Sequence, residues 1–168
     1  MKQILFEIPI WKGLINCKKI ELTSEHFKKS FESQVLTSFD GDNIVSDKGK
    51  NYLFNNFIQL LSQDITVQNI YNFRIWRNIY KNSFQDKHNH AGCNFSFVVY
   101  EKINKPQTVF FHPSNDLIAA SKSQSLFKQT VLLDVKQNDI VIFPGYLDHM
   151  VKLTEEALTI SGNFDIET

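Results

Sequence analysis

The sequence predicts an α+β chain, with helices first and an antiparallel sandwich or jelly roll after them. Three observations carry this. Apolar residues recur at helical spacing in two stretches before residue 65. Short runs rich in β-branched and aromatic residues fill the chain from residue 66. Polar or Gly/Pro/Asn/Asp-containing connections separate those runs.

Taken in order, the opening MKQILFEIPIWKGLI has one lysine ahead of an apolar run that Glu7 interrupts, with no small-residue cleavage site after it. It reads as a strand entering the fold, not as a signal peptide. Residues 23–37 read as a helix that Thr23 or Ser24 can cap, with Phe27, Phe31, Val35 and Leu36 at helical spacing. Residues 38–50, with FDGDN inside, read as a polar loop. Residues 51–64 read as a second helix, with Leu53, Phe54, Phe57, Ile58 and Leu61 on one stripe. The expected strands are 72–80, 94–101, 108–111, 129–135, 139–143 and 157–164. Residues 116–128 read either as a long loop or as a short helix.

The chain has 168 residues, which suits one domain: helical support over 23–64 and a barrel over 66–168. Eighteen basic side chains balance eighteen acidic ones, so a whole-chain basic footprint for nucleic acid is absent. The longest apolar stretches, such as 95–100 and 140–144, have the length of a strand and fall far short of a membrane span. Cys17 and Cys93 are the only cysteines, which points to a reduced, cytoplasmic setting and away from a disulfide scaffold.

Three histidines stand where a metal site needs them. His88 and His90 form H-N-H on an extended segment, where residues i and i+2 share a face. His149 follows IVIFPGYLDH, in which a buried strand meets a Pro144-Gly145 turn and the imidazole projects from the start of the next strand. An H-x-H pair alone is more often a surface or hydrogen-bonded pair than a metal site. His26, among charged neighbours, reads as solvated, and His112, before Pro113, as a loop residue. The cysteines share no short spacing and read as small core or edge residues. Trp76, Phe95, Phe97 and Phe110 read as core.

The order of these motifs resembles the double-stranded β-helix of the Fe(II)/2-oxoglutarate-dependent oxygenases. The likeness is greatest to the small branch from phage and bacterial genomes that is similar to prolyl hydroxylases. LFEIPIW at 5–11 resembles that branch's N-terminal strand. WRNIY at 76–80 resembles its W-x-N strand, and Ser83-Phe84-Gln85 followed by His88-Asn89-His90 its approach to the metal. Residues 96–100 resemble its S-G-x-x-Y strand and 110–113 its F-x-D-P strand. FPGYLDH at 143–149 resembles its F-P-S-x-L-x-H, and TISGNF at 159–164 its last, R-x-S-containing strand.

The resemblance implies Fe(II) held by His88, His90 and His149, with 2-oxoglutarate and O2 as cosubstrates. It further implies hydroxylation of an unidentified substrate, by analogy a peptide or protein side chain, in the cytoplasm of a bacterium or of a phage-infected host cell. His90 occupies the position of the usual acidic ligand, so an ion held by three neutral imidazoles keeps its full divalent charge, which a dianion would cancel. Asp86, two residues before His88, is the alternative source of a carboxylate. Ala157 stands at the position of the family's arginine anchor and Thr159 at its hydroxyl position; Lys152 and Arg74 are the substitute cations to consider. Asn78, Gln85 and Thr159 are the implied cosubstrate contacts. Loops over 40–50 and 115–125 are the candidate covers for substrate.

Two other classes remain open at this point. One is a cupin-like, three-His iron dioxygenase that needs no 2-oxoglutarate, which His90 and Ala157 favour. The other is a catalytically degenerate jelly roll kept as a binding or structural module.

Overall fold

The computed structural model describes residues 7–30, 34–122, 124–125 and 127–168. Strand β1 (Trp11–Leu14) and a 3-10 turn (Cys17–Ile20) come first. The short strands β2 (Leu22–Ser24), β3 (Lys28–Lys29), β4 (Leu36–Thr37) and β5 (Asn43–Val45) then lead into helix α1 (Asp47–Leu61). The barrel strands follow: β6 (Asn69–His88), β7 (Phe95–Ile103) and β8 (Thr108–Phe111). After helix α2 (Asn115–Ala120) come β9 (Thr130–Leu132), β10 (Asp139–Pro144) and β11 (His149–Glu167).

The jelly roll is present, but its N-terminal support differs from the sequence expectation. The stretch 23–37 is not a helix. His26 has a positive φ of 57°, which a helix does not tolerate. Ser30 N–H donates to the Val35 carbonyl to close a β3–β4 hairpin, and β4 then extends the sheet edge with Leu36 opposite Ile79 and Thr37 opposite Asn78. Val35 is buried against Tyr80 and Ala157. Distant pairing with β6 thus overrides a local helical spacing. Phe31, and Leu5 and Phe6 of the expected opening strand, lie outside the described residues; β1 begins at Trp11.

The second expected helix exists and starts four residues early. Ser46 Oγ accepts from Gly49 N–H as its cap. Gly49 has to be a glycine, because a Cβ there would lie 1.9 Å from the Ile20 carbonyl oxygen. Residues 116–128 resolve in favour of a short helix, α2. No described helix is long and apolar enough to cross a membrane.

The large sheet runs β1-β10-β7-β11-β6-β4-β3, with β8 on β11 and β9 on β8; β2 and β5 form a separate ribbon. All of these pairs are antiparallel. β6 and β11 pair along nearly their whole length, from Asn69 opposite Glu167 to His88 opposite His149. Register shifts interrupt that pairing between His149 and Val151, between Val151 and Thr154, and between Asn163 and Asp165. Such irregularities bend a strand and increase its twist. β11 can therefore pair with β7 through Ala157–Phe164 and with β8 through His149–Val151. One pair of long strands thereby serves both layers of the roll.

The main core lies between α1 and the sheet, where Phe57 stacks on Phe164 at 4.6 Å and leans on Phe97 at 4.8 Å. A smaller cluster that includes Tyr100, Phe110, Val141 and Phe143 fills the space beneath β8.

Candidate metal centre

The three histidines meet. One ring nitrogen from each of His88, His90 and His149 falls within 4.8 Å of the others, and this is the only such grouping of His, Cys, Asp or Glu among the described residues. Bonds of about 2.1 Å to one ion set its ligand nitrogens roughly 3.0 to 3.4 Å apart, so the rings would draw together by side-chain rotation to share an ion.

Local structure places each ring. His88 and His149 end and begin their strands directly opposite one another, with ring centroids 4.3 Å apart. His90 sits just past β6, where its N–H donates to the Gly145 carbonyl at 2.8 Å. The Pro144-Gly145 turn thus holds His90 beside His149. A Cβ on residue 145 would lie 2.5 Å from the Cys93 carbonyl oxygen and 2.9 Å from that of His90, so the close approach requires glycine. Asp148 ties the two segments together: Asn89 Nδ2 donates to its carboxylate at 2.8 Å and Lys87 Nζ lies 3.3 Å from it. These contacts, with the Asn89 bond foremost, hold the Asp148 carboxyl below the usual range.

Tautomers follow from the partners. Backbone carbonyls can only accept. His149 Nδ1–H therefore donates to Leu147 (3.0 Å) and His88 Nδ1–H to Asp86 (2.6 Å). Both Nε2 lone pairs are left free for an ion. The third ring differs: Asn163 Nδ2, a donor, lies 3.4 Å from His90 Nδ1, with its own Oδ1 taken by Ser96 Oγ. Burial, helped by the charge of His88, lowers His90 to about 4, and burial drives His149 well below the ordinary imidazole value. Both rings are therefore neutral at neutral pH, the form that binds a metal.

The rings form part of the wall of a narrow inner cavity of about 30 Å³, room for a water or two. The three expected cosubstrate contacts, Asn78, Gln85 and Thr159, line it. Sequence reasoning missed its phenols. Tyr80 Oη donates to Gln85 Oε1 at 2.9 Å, and the Tyr100 and Thr108 hydroxyls meet at 2.8 Å. Tyrosines inside strands carry no signal that separates a pocket wall from a core. Trp76 is buried as expected, but it also lines the cavity and packs on His90 at 5.8 Å.

The alternative carboxylate and the substitute cations considered from the sequence do not reach the cluster. Asp86 offers His88 its backbone carbonyl, and its exposed carboxylate stands apart from the cluster. Neither Lys152 nor Arg74 reaches the cavity: Lys152 is exposed, and Arg74 lies 4.5 Å over the Phe39 ring. Outside the imidazoles lies an open groove of about 510 Å³, walled by Phe39, Asp40, Lys28, Lys29 and Lys87 among others. Of the two expected covering loops, the first reaches this groove only through Asp40, and none of the described residues of 115–125 lines it.

A protein family described as "Putative 2OG-Fe(II) oxygenase" matches the chain over residues 74–165. Solved structures share the fold. A prolyl-4-hydroxylase from Pseudomonas putida superposes with a TM-score of 0.61 at 13% identity, covering 96% of this chain and 94% of that one. HygX from Streptomyces hygroscopicus, with nickel, 2-oxoglutarate and hygromycin B bound, gives 0.57 at 11% identity, over 93% of this chain and 81% of that one. A prolyl hydroxylase from Trichoplax adhaerens, in complex with a hypoxia inducible factor peptide fragment, gives 0.56 at 12% identity, over 92% and 83%. No curated protein matches the chain by sequence.

Proposed function

This chain belongs to the 2OG-Fe(II) oxygenase family, whose members use Fe(II) and 2-oxoglutarate, and we propose that it hydroxylates a peptide or protein side chain at a metal held by His88, His90 and His149. The observation that carries this reading is the convergence of three imidazoles on one point, at the junction of an inner cavity and an open groove. The residues fit a divalent ion: Leu147 and Asp86 hold the rings of His149 and His88 with Nε2 free, and His90 brings a third ring nitrogen to the same point. When bound, iron with its 2-oxo acid supplies the oxidising power to place an oxygen atom from O2 into a C–H bond.

The chain's own residues do the rest. The backbone carbonyls orient two rings and hold the protons on their outer nitrogens. Phe110 and Phe143 pack on His149 at 5.9 and 4.9 Å and keep water from its back. Hydroxyl and amide groups of the inner cavity, Asn78 and Thr159 among them, take the 2-oxo acid. The open groove, with Phe39 and Trp76 in edge contact at 4.9 Å, is wide enough for an extended chain to lie across the metal. The two free thiols fit work in a reducing cytoplasm.

The test is turnover. Iron-loaded protein is incubated with a peptide library, with and without 2-oxoglutarate. The expected result is succinate formed in step with a peptide heavier by one oxygen. Oxidation that proceeds without any 2-oxo acid would favour a three-His dioxygenase of the cupin kind, for which the third imidazole in place of a carboxylate speaks.

A further inference from the structure

We infer that the inner cavity does not select for charge at the far end of its 2-oxo acid, and that a 2-oxo acid with an uncharged tail binds at least as tightly as 2-oxoglutarate, with Asn78 reading that tail. This rests on the metal centre proposed above.

Among the described residues, no Lys, Arg, Asp or Glu lines the cavity. Three cations on the strands that wall it are engaged elsewhere: Arg77 pairs with Glu101 through two contacts of 2.8 and 2.9 Å, Lys102 with Glu156 at 2.7 Å, and Arg74 stacks on Phe39. Whichever end of a ligand points away from the imidazoles therefore meets only neutral groups. With room for a water or two, the cavity would also strip a carboxylate of its hydration. A dehydrated carboxylate with no cation is a costly occupant, whereas a neutral amide or hydroxyl tail loses far less.

Asn78 adds an independent observation. It is 2% exposed and lines the cavity. Its Nδ2 donates to Ser161 Oγ at 3.0 Å and Thr159 Oγ1 at 3.5 Å. Its Oδ1 has no partner. A buried acceptor left unpaired is destabilising and asks for a donor. An ionised carboxylate has none to give, whereas an amide N–H or a hydroxyl does.

The test is binding, not turnover. Protein loaded with zinc in place of iron is titrated by calorimetry with N-oxalylglycine and with its amide, two unreactive 2-oxo acid mimics of the same shape that differ by one charge. The amide is expected to bind at least as tightly as the acid. In the variant Asn78→Leu the amide should weaken about tenfold, and by more than the acid does. An acid more than about tenfold tighter than the amide in the wild type would overturn the inference, and needs no variant to fold. Stoichiometric zinc with neither mimic bound would also overturn it and leave the metal centre standing. Absence of bound zinc would bring down the proposed centre and the inference together.

Discussion

His149 is oriented and kept neutral by its surroundings alone. It is 4% exposed, faces Phe110 and Phe143, and spends its only outward proton on the Leu147 carbonyl. Burial keeps it and His90 neutral, at a cost that appears in acid. Both folded values are depressed, His90 to about 4 and His149 well below the ordinary range. Unfolded imidazole takes its proton near about 6.5. The stability from these two rings is therefore full above that value and is lost as pH falls towards the folded ones. The melting temperature of metal-free protein should drop between pH 7 and pH 5, and the drop should be shallower in His149→Phe. A melting temperature that stays flat over this interval in the wild type would contradict the burial argument.

At the scale of elements, the site depends on one strand pair and one turn. β6 and β11 deliver His88 and His149 as direct neighbours, and the Pro144-Gly145 turn fixes the third ring through the His90 N–H. Gly145→Ala sets a methyl 2.5 Å from the Cys93 carbonyl oxygen and 2.9 Å from that of His90, so the turn has to shift and His90 with it. Zinc affinity is expected to fall about tenfold or more, as when other supports of metal ligands are removed, with the far-ultraviolet circular dichroism unchanged. Unaltered affinity would mean that the turn does not position His90. The parts legible in the sequence are those governed by short-range rules. The H-x-H pair, the His after a strand–turn unit, and the apolar stripe of α1 all follow from spacing within a few residues. The stretch 23–37 was not legible, because Val35 and Leu36 are claimed by Tyr80 and Ile79 more than forty positions away. Nor were Tyr80, Tyr100 and Thr108 legible as cavity walls, since a buried tyrosine in a strand looks the same whether its hydroxyl meets a ligand or the core. Asp148 was nearer to legible: a carboxylate beside a ligand histidine is an ordinary clamp, and here it holds Asn89 and Lys87.

At the scale of the whole molecule, two irregular long strands and one packed helix suffice. The bulges in β11 turn its first residues towards β8 and its last towards β7. This brings the imidazoles to the mouth of the roll, with the neutral cavity on one side and the groove on the other. The family's fold is kept; under the reading proposed above, His90 would stand in for a carboxylate and Ala157 for an arginine. On that reading, one less negative ligand and one less cation would leave the formal charge of the loaded centre unchanged. The most direct measurement of this account is anaerobic loading with iron, removal of excess metal, and elemental analysis of the wild type and of His88→Ala, His90→Ala and His149→Ala. A single iron per chain is expected in the wild type, with affinity reduced by about a hundredfold or more in each variant. Full retention of iron after loss of any one imidazole would contradict a centre built on all three.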